Sequence, residues 1–318
     1  MSATRRARVR AVAKINLDLR VLARRPDGYH ELRTILQTIS LADTLEIAFT
    51  PGRKTIIALE DELTIPDNLV VRAARRAMEA MGAAGRVEMR LTKRIPMGAG
   101  LGGGSSDAAA VLLALPVLAG RIVSLRKLSE VAGELGSDVP FFLLGGRAVG
   151  IGRGTELFPL PDGPRARGVL VAPGVHVSTA EAYRALSPRL TTESPQNKIF
   201  SFQSHTWDRS VGEAAANDFE AVVFARHRRL AAVKKRLLRA GARPALMTGS
   251  GSAIFGLFGT GDEVSQAMEL LGASGPHGEE AAFRISLVSR PRYRSLWWRA
   301  LQEHITGRVW PPQSRHVR

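Results

Sequence analysis

Hydrophobic and polar residues alternate near the start of the chain. Between residues 15 and 21 every second side chain is apolar, and Lys14 and Asn16 occupy the opposite set of positions. A period of two is typical of a half-buried β-strand, so Lys14 and Asn16 are predicted to point the same way from one strand. Turn-forming residues 25–28 follow, and residues 34–47 are predicted to be mostly extended.

Further along, the pattern changes to the helical period. Residues 69–81 are predicted to form a helix that is capped by Asp67 or Asn68 and ends at Gly82. Further helices are predicted over residues 108–115, 124–135, 179–186, 219–240 and 263–271, with short strands at 87–91, 169–172 and 253–258. Because helices and strands are mixed throughout, the fold class is predicted to be α/β (α+β).

One stretch divides this pattern in two. Residues 159–168 are rich in Pro, Gly and Arg, which is typical of a linker between domains. We therefore predict an N-terminal domain over residues 1–160, a C-terminal domain over 168–290 and an extension over 291–318.

Composition excludes several kinds of site. The chain has 318 residues and no Cys, which excludes disulfide frameworks, thiolate nucleophiles and cysteine-based metal centres. No apolar run reaches the roughly 18 residues that span a bilayer. Residues 1–12 do not resemble a signal peptide, so a cytoplasmic protein is expected.

The formal net charge of +16 first suggests a polyanionic partner such as a nucleic acid. The excess is concentrated in residues 1–10, 226–243 and 284–318, and the rest of the chain is close to neutral. Aromatic residues make up only 6%, and the basic segments are separated along the chain. Since single-stranded nucleic acids are bound along a continuous basic groove with stacking aromatic residues, no nucleic-acid partner is expected.

The segment with the most chemical information is a glycine-rich loop. Residues 98–104 contain five glycines, and Ser105, Ser106 and Asp107 lead from them into an apolar helix. Glycine lets backbone N–H groups approach a phosphate closely, and a helix start adds unpaired donors and a favourable dipole. A flexible linker with a Ser or Asp cap is the alternative, but the apolar helix that follows at once argues against it.

Common phosphate-loop motifs do not explain this loop. Gly98, Gly100 and Gly103 satisfy G-x-G-x-x-G, yet residues 93–96 interrupt the junction of strand and glycines that a dinucleotide fold requires. The Gly-Lys-Ser/Thr of a Walker A loop and the protein-kinase motifs are also missing from the sequence.

Residues 96–109 instead resemble the ATP-binding signature of the GHMP kinases, which are named for galactokinase, homoserine kinase, mevalonate kinase and phosphomevalonate kinase. Segments 13–17, 26–32, 136–142 and 247–252 match the family in the same order. Together they narrow the resemblance to the members that phosphorylate a cytidine-diphosphate-linked methylerythritol in the non-mevalonate isoprenoid pathway. It covers about residues 9–290.

The resemblance implies a two-domain fold with substrates in the cleft between the domains. The N-terminal ATP-binding domain would contain a left-handed βαβ unit, and the C-terminal domain would be ferredoxin-like. The implied reaction transfers a phosphoryl group from ATP, with Mg²⁺, to the 2-hydroxyl group of the substrate.

Two residues carry the implied chemistry. Asp138 is implied as the general base and Lys14 as the cation beside the transferred phosphoryl group. From local sequence alone, Asp138 also fits a helix cap because Pro140 follows, and a lysine on a polar strand face is usually just solvated.

The nucleotide contacts are implied by the family signature. They are Lys93, Pro96, Met97, Gly98, Ala99, Gly100, Leu101, Gly102, Gly103, Gly104, Ser105 and Ser106. Ser106 is also the implied magnesium ligand, with phosphate oxygens and water completing the shell, although helix capping is its alternative role.

For the cytidine group, Tyr29 offers an aromatic face and His30 can hydrogen-bond a pyrimidine edge. The resemblance adds Tyr183 as the opposing ring, with Thr179 nearby and Asn16 reaching the substrate. The alternative for Tyr29 and His30 is an ordinary surface pair after a turn. Another GHMP kinase is the main rival function.

Residues 291–318 lie beyond the resemblance and contain Tyr293, Trp297, Trp298 and Trp310 among arginines. An amphipathic helix is predicted at residues 294–304, which would dock on the protein itself, on a second subunit or on an anionic membrane. Docking on the protein itself is expected, because large aromatic side chains usually find a core.

Overall fold

The computed structural model describes residues 3–187, 215–272 and 280–317, in which ten strands form two sheets. The strands are β1 (Arg5–Arg24), β2 (His30–Pro51), β3 (Ile56–Asp61), β4 (Gly85–Thr92), β5 (Arg147–Gly152), β6 (Glu156–Pro159), β7 (Arg167–Ala172), β8 (Ala245–Met247), β9 (Ile254–Phe258) and β10 (Ala281–Ser286). The change from one sheet to the other falls between β6 and β7, inside the predicted linker segment.

Nine helices accompany these strands in the described part of the chain. They are α1 (Leu69–Met81), α2 (Gly103–Ala119), α3 (Leu125–Leu135), α4 (Val139–Leu144), α5 (Thr179–Leu186), α6 (Glu220–Arg226), α7 (Arg228–Arg239), α8 (Gly261–Leu270) and α9 (Arg290–Ala300). Strands and helices are thus mixed in both halves, which confirms the predicted fold class.

The first sheet contains the strand order β3-β4-β2-β5-β6, and β1 pairs antiparallel with β2 along most of its length. β3 and β4 are parallel with α1 between them, which makes a βαβ unit. Its left-handed sense stays a prediction. Helix α2 is buried over residues 106–118 and packs against α1, β1 and β2. These contacts fix the start of the helix, and with it the end of the glycine-rich loop.

The second sheet is antiparallel with the strand order β10-β7-β9-β8. Helices α5 to α7 lie between β7 and β8 in sequence, and α8 lies between β9 and β10. The resulting β-α-β-β-α-β order, with the first and third strands in the centre, is that of a ferredoxin-like fold. This confirms the fold expected for the C-terminal half.

One apolar cluster joins the two sheets. Ile15 and Leu17 of β1 and Leu101 of the glycine-rich loop are buried together with Phe255 of β9 and Ile285 of β10. Burial of such side chains is the main favourable term in packing two layers. The cluster therefore fixes β1 and the loop, which carry predicted site residues, against the second sheet.

The boundaries of α1 follow the sequence signals. The Asn68 side chain accepts a hydrogen bond from the Val70 N–H group at 3.0 Å, and Gly82 ends the helix in a left-handed conformation. The predicted bounds 69–81 are confirmed, and of the two candidate caps the structure uses Asn68.

Helix α2 is longer at both ends than the predicted residues 108–115. It begins at Gly103 and continues through Pro116 to Ala119. Glycine and proline disfavour helix interiors, which is why propensity alone predicts the shorter segment. Tertiary contacts outweigh propensity here, because the first turn is tied to β1 and the last turn is buried in the core.

Two other predicted helices need correction. The segment 219–240 forms two helices, because the backbone of His227 (φ −122°, ψ 75°) leaves the helical region. The C-terminal helix begins at Arg290 rather than at residue 294. Its start has ordinary signals that the prediction overlooked, namely Ser289 as a cap and Pro291 in the first turn.

Tyr293 and Trp297 of α9 are buried in the core of the first half, which confirms that the extension docks on the protein itself. Among the helices of the described residues, none has the length and apolar character required to cross a membrane.

Candidate active site

A cleft of about 970 Å³ lies between the two halves of the molecule. It collects residues that are far apart in sequence from β1, the end of the β1–β2 turn, the start of α4, α5 and the turn between β8 and β9. The predicted site residues that line it are Lys14, Asn16, Tyr29, His30, Gly100, Asp138, Thr179 and Tyr183. The fold therefore places the implied catalytic and substrate residues around one space.

Lys14 and Asp138 face each other in this cleft. The distance from Lys14 Nζ to Asp138 Oδ2 is 3.7 Å, and the Lys14 side chain is 5% exposed against 38% for Asp138. Asp138 occupies the N-cap position of α4 but its side chain makes no capping hydrogen bond. The helix-cap alternative is not realised in the structure, so this carboxylate stays accessible from the cleft.

Asn16 holds Lys14 in place. Lys14 Nζ donates to Asn16 Oδ1 at 2.8 Å, and the same oxygen accepts from the Gly249 N–H group at 2.9 Å. Asn16 Nδ2 donates to Thr34 Oγ1 at 2.8 Å. Asn16 is buried, so these bonds make it a link between β1, β2 and the second half. A reach of Asn16 to the substrate stays a prediction.

The turn between β8 and β9 lies directly against the glycine-rich loop. A Cβ atom at Gly100, whose φ is +77°, would collide with the Thr248 carbonyl oxygen, so this approach requires glycine. Asn217 Nδ2 donates to the carbonyl oxygens of Met247 at 2.7 Å and Gly249 at 2.8 Å. The turn is thereby braced by the residues just before α6, and it supports the loop from the second half.

The start of α2 is suited to an anion. Gly102 at the N-cap has no side chain to cap the first turn, and the first N–H groups of a helix have no intrahelical acceptor. Gly104 is exposed, and a Cβ atom built there meets nothing within 4 Å. Unpaired donors, the helix dipole and open space together fit a nucleotide phosphate.

Ser106 lies in the first turn of α2 and is buried. Its Oγ donates a hydrogen bond to the Val12 carbonyl oxygen at 2.7 Å, which links α2 to β1. The described residues contain no cluster of three or more His, Asp or Glu side chains that would hold a metal ion by themselves. This donor set fits Mg²⁺ that is held mainly by phosphate oxygens and water.

Lys93 lies in a buried cluster of charged side chains. Its side chain is 8% exposed, and its ammonium group bonds to Asp43 and, at 2.8 Å, to Asp107 Oδ2. Asp43 Oδ1 also accepts from the Ile95 N–H group at 2.8 Å. Lys93 therefore anchors the loop entrance to β2 and α2, and its contact with a nucleotide stays a prediction.

The charges in this buried cluster shift each other's pKa values. Burial and the charge of Asp43 raise the pKa of Asp107 to about 7, despite the opposing effect of Lys93. Burial by itself lowers the pKa of Lys93, but the charges of Asp107 and Asp43 outweigh it and that pKa is raised. Two carboxylates thus share one cation.

A smaller pocket of about 410 Å³ lies beside the loop, on the side of Lys93. Pro96, Met97 and Ala99 line it together with His176, which the sequence did not single out. Met97 is exposed, whereas Ala99 and Leu101 are buried and anchor the loop. The predicted nucleotide residues are therefore divided between this pocket, the loop and the start of α2.

Tyr183 and Tyr29 each contact another side chain of the cleft. The Tyr183 ring stacks on His30 with centroids 4.7 Å apart and 29° between the planes, and contacts Phe219 edge-on. The Arg153 guanidinium lies 3.7 Å from the centroid of the Tyr29 ring. A sandwich of Tyr29 and Tyr183 around a cytosine stays a prediction.

Burial affects the titration of both stacked rings. Burial and the charge of Asp138 raise the pKa of Tyr183 to about 12. Burial and the charge of Arg24 lower the pKa of His30, whose Nε2 lies 2.9 Å from Ser187 Oγ. The lowered pKa favours the neutral imidazole of His30 near pH 7.

Three arginines of the cleft were missed by sequence reasoning. Arg24, Arg153 and Arg184 line it at the end that holds Tyr29 and His30. Guanidinium groups suit phosphate oxygens, so this end has the charge expected for a diphosphate. In the sequence these residues carry no distinguishing pattern, because arginine is frequent throughout the chain.

Comparison with known proteins gives the chain's relatives. A family model for the GHMP kinases N terminal domain matches residues 68–146, and one for the GHMP kinases C terminal region matches residues 205–277. A 4-diphosphocytidyl-2-C-methyl-D-erythritol kinase of Solibacter usitatus (strain Ellin6076) is 68% identical over 320 residues, which cover 99% of each chain.

A kinase of the same name from Geobacter sp. (strain M21) is 44% identical over 250 residues, which cover 78% of this chain and 88% of the relative. A crystal structure of a 4-(cytidine 5'-diphospho)-2C-methyl-D-erythritol kinase is similar with a TM-score of 0.73 and 40% identity. The match covers 88% of this chain and 98% of the solved one.

Proposed function

This chain belongs to the GHMP kinases and, among them, to the 4-diphosphocytidyl-2-C-methyl-D-erythritol kinase family, and we propose that it phosphorylates the 2-hydroxyl group of that compound with ATP. The observation that carries this proposal is the cleft in which Lys14 and Asp138 lie 3.7 Å apart, with aromatic and basic side chains at one end and the glycine-rich loop at the other.

In the proposed reaction Asp138 takes the proton of the substrate hydroxyl group while the hydroxyl oxygen forms the new bond to phosphorus. Lys14 is a compact cation next to that carboxylate and stabilises negative charge on the transferred group. Asn16 fixes the ammonium group of Lys14 from the other side. Most of the catalytic effect comes from positioning and charge stabilisation, as is general for phosphoryl transfer.

ATP supplies the phosphoryl group and leaves as ADP. We assign its phosphates to the backbone N–H groups at the start of α2, where Gly102 leaves the first turn uncapped. Ser106 is the candidate magnesium ligand from the protein. The smaller pocket beside Pro96 and Met97 would hold the rest of the nucleotide. A cytoplasmic location for this reaction stays a prediction.

The opposite end of the cleft would hold the cytidine diphosphate group. Tyr29 is 53% exposed and offers a ring face to a base, and the neutral His30 offers a hydrogen bond. Arg24 and Arg184 would neutralise the diphosphate. This arrangement supports a nucleotide-linked substrate over a small unlinked alcohol, which would leave the aromatic and basic end of the cleft without a partner.

A coupled assay of ADP release tests the proposal. We expect ADP release that depends on 4-diphosphocytidyl-2-C-methyl-D-erythritol, and none above background with mevalonate or homoserine as acceptor. CDP should raise the midpoint of thermal unfolding, because it occupies the aromatic end of the cleft. Turnover of mevalonate or homoserine without stabilisation by CDP would assign the chain to another GHMP kinase activity.

A further inference from the structure

The C-terminal segment 290–317 lies against α4, the short helix that directly follows Asp138. The Tyr293 hydroxyl group donates to the Phe142 carbonyl oxygen, and Trp310 Nε1 donates to the Leu143 carbonyl oxygen at 2.9 Å. Arg290 Nε donates to the Gly145 carbonyl oxygen at 3.2 Å. Two carbonyl groups in the last turn of α4, and that of Gly145 directly after it, thus find their partners in this segment.

Helix α4 depends on such partners more than a longer helix does. It has six residues, and the last four carbonyl groups of any helix lack intrahelical donors. Isolated helices of this length are not stable in water. Asp138, at the other end, is not fixed by a capping bond of its own. Its place in the cleft is therefore set by where α4 lies.

The residue directly after α4, Gly145, leaves room for the C-terminal segment. At Gly145, whose φ is +63°, a Cβ atom would collide with the Tyr293 ring. Tyr293 is 2% exposed, and its ring contacts those of Trp297 and Trp310 edge-on at 6.2 Å and 6.0 Å. The three rings form one packed group, which we call the aromatic clamp.

Arg290 ties the start of the C-terminal segment to the chain that follows β6. Its Nη1 donates to the Leu160 carbonyl oxygen at 3.1 Å, and its backbone N–H donates to Asp162 Oδ1 at 3.0 Å. Further along, His304 Nε2 lies 2.9 Å from the Arg6 carbonyl oxygen of β1. The segment is therefore bonded both to the chain after β6 and to β1, and gives α4 a fixed support.

We propose that Tyr293 and Trp310 are positioning residues for the reaction, which hold the C-terminal end of α4 and thereby keep the Asp138 carboxylate against Lys14. This inference rests on the proposed function, because it assigns a consequence to the geometry of the base. It gives the extension 291–318 a role in catalysis that acts through α4.

The test is the double variant Tyr293→Phe with Trp310→Phe, which removes both donors and keeps aromatic rings in the clamp. We expect kcat to fall by about tenfold, because small displacements of a catalytic group cost up to about 10²-fold. The KM values for both substrates should stay within about twofold, since neither residue lies in the cleft.

Trp298→Phe is the matched control. Trp298 Nε1 donates to the Val309 carbonyl oxygen at 3.4 Å, a bond inside the same segment that does not involve α4. We expect this variant to keep the wild-type kcat. An equal loss of kcat in the control would mean that any loosening of the segment lowers activity, and would overturn the assignment to Tyr293 and Trp310.

A double-mutant cycle separates positioning from general loss of structure. In the Asp138→Asn background, measured by single turnover, the added Tyr293→Phe and Trp310→Phe changes should no longer reduce the residual rate. An undiminished tenfold loss in that background would overturn the inference. If the double variant does not fold, Tyr293→Phe alone, which keeps the ring, is judged by the same criteria.

The two proposals fail in different ways. Wild-type protein without substrate-dependent ADP release would overturn the proposed function, and this inference with it. Wild-type protein that turns over together with a folded double variant of equal kcat would overturn this inference alone.

Discussion

Lys14 and Lys93 both lie beside the glycine-rich loop, and the charged groups around them differ. Lys14 faces the single carboxylate of Asp138 across 3.7 Å in an open cleft. Lys93 is enclosed by the carboxylates of Asp43 and Asp107. Both side chains are nearly buried, so burial alone does not distinguish the lysine proposed for catalysis from the one in the buried charge cluster.

The difference lies in how much of each charge is already compensated. Around Lys93 the two carboxylates more than neutralise the ammonium group, and Asp43 also binds the backbone of the loop entrance. Around Lys14 the remaining partner is the neutral oxygen of Asn16. An incoming phosphoryl group therefore finds attraction at Lys14, whereas at Lys93 it would compete with two fixed carboxylates.

The largest expected effect concerns Asp138, the carboxylate that faces Lys14. Asp138→Asn should lower kcat by about 10²–10⁴-fold, because a general base contributes that much. Binding of ATP and of the cytidine-linked substrate, measured by calorimetry, should persist. The carboxylate of Glu130, which pairs with Arg126 on the surface, gives the matched control Glu130→Gln. Full turnover by the Asp138→Asn protein would remove Asp138 from the catalytic role.

The same substitution at both lysines compares the two sides directly. Lys93→Met should lower the free energy of unfolding by about 3–5 kcal/mol, because it leaves two buried carboxylates without their cation. Lys14→Met should leave unfolding nearly unchanged and lower kcat by about 10²–10³-fold, the loss typical when one charge-stabilising group is removed. Denaturant titration and the ADP assay measure the two effects. A stable and inactive Lys93→Met protein would instead favour the nucleotide contact that the family resemblance implies.

The variant Ser106→Ala tests whether Ser106 acts in magnesium binding as well as in the fold. Loss of the hydrogen bond to the Val12 carbonyl oxygen should cost about 1 kcal/mol of unfolding free energy. If Ser106 is a magnesium ligand, its loss would in addition raise the Mg²⁺ concentration needed for half-maximal rate. We expect both changes. An unaltered Mg²⁺ dependence would leave Ser106 with the structural bond only.

A further effect is a pH dependence of stability from the charge cluster around Lys93. The pKa of Asp107 is raised to about 7 in the folded protein, above the 3.8 of an unfolded aspartate. Between these values the folded state binds more protons, so the contribution of Asp107 to stability falls as pH rises. The difference in unfolding temperature between Asp107→Asn and the wild-type protein should therefore shift in favour of the variant as the pH rises from 5 to 8. An offset that is equal at both pH values would contradict the raised pKa.

Local sequence was sufficient for elements whose own residues carry the signals. The helix at Leu69–Met81 follows from Asn68, its apolar period and Gly82, and α5 occupies the predicted residues 179–186. The family motifs likewise imply that Lys14 and Asp138 belong to one site. In these cases the information lies within a few residues or within one recognisable pattern.

Other features depend on partners that are distant in the chain. Asp43 binds Lys93 fifty residues away, and Asn217 braces the turn at Met247. Arg153 covers the Tyr29 ring, and neither residue predicts the other. Sequence pattern names residue types that can bond, but it does not say which of many aspartates or arginines the fold brings within reach.

The sequence by itself determined the family, the two-part mixed fold, the glycine-rich loop and the residues that carry the implied chemistry, because each is encoded in a contiguous motif or a local period. Only the tertiary structure decided that Lys93 pairs with two carboxylates and Lys14 with one, that Asp138 does not cap α4, and that the C-terminal segment contacts α4. These outcomes are set by packing and by compensation of charge between distant residues, which no local pattern contains.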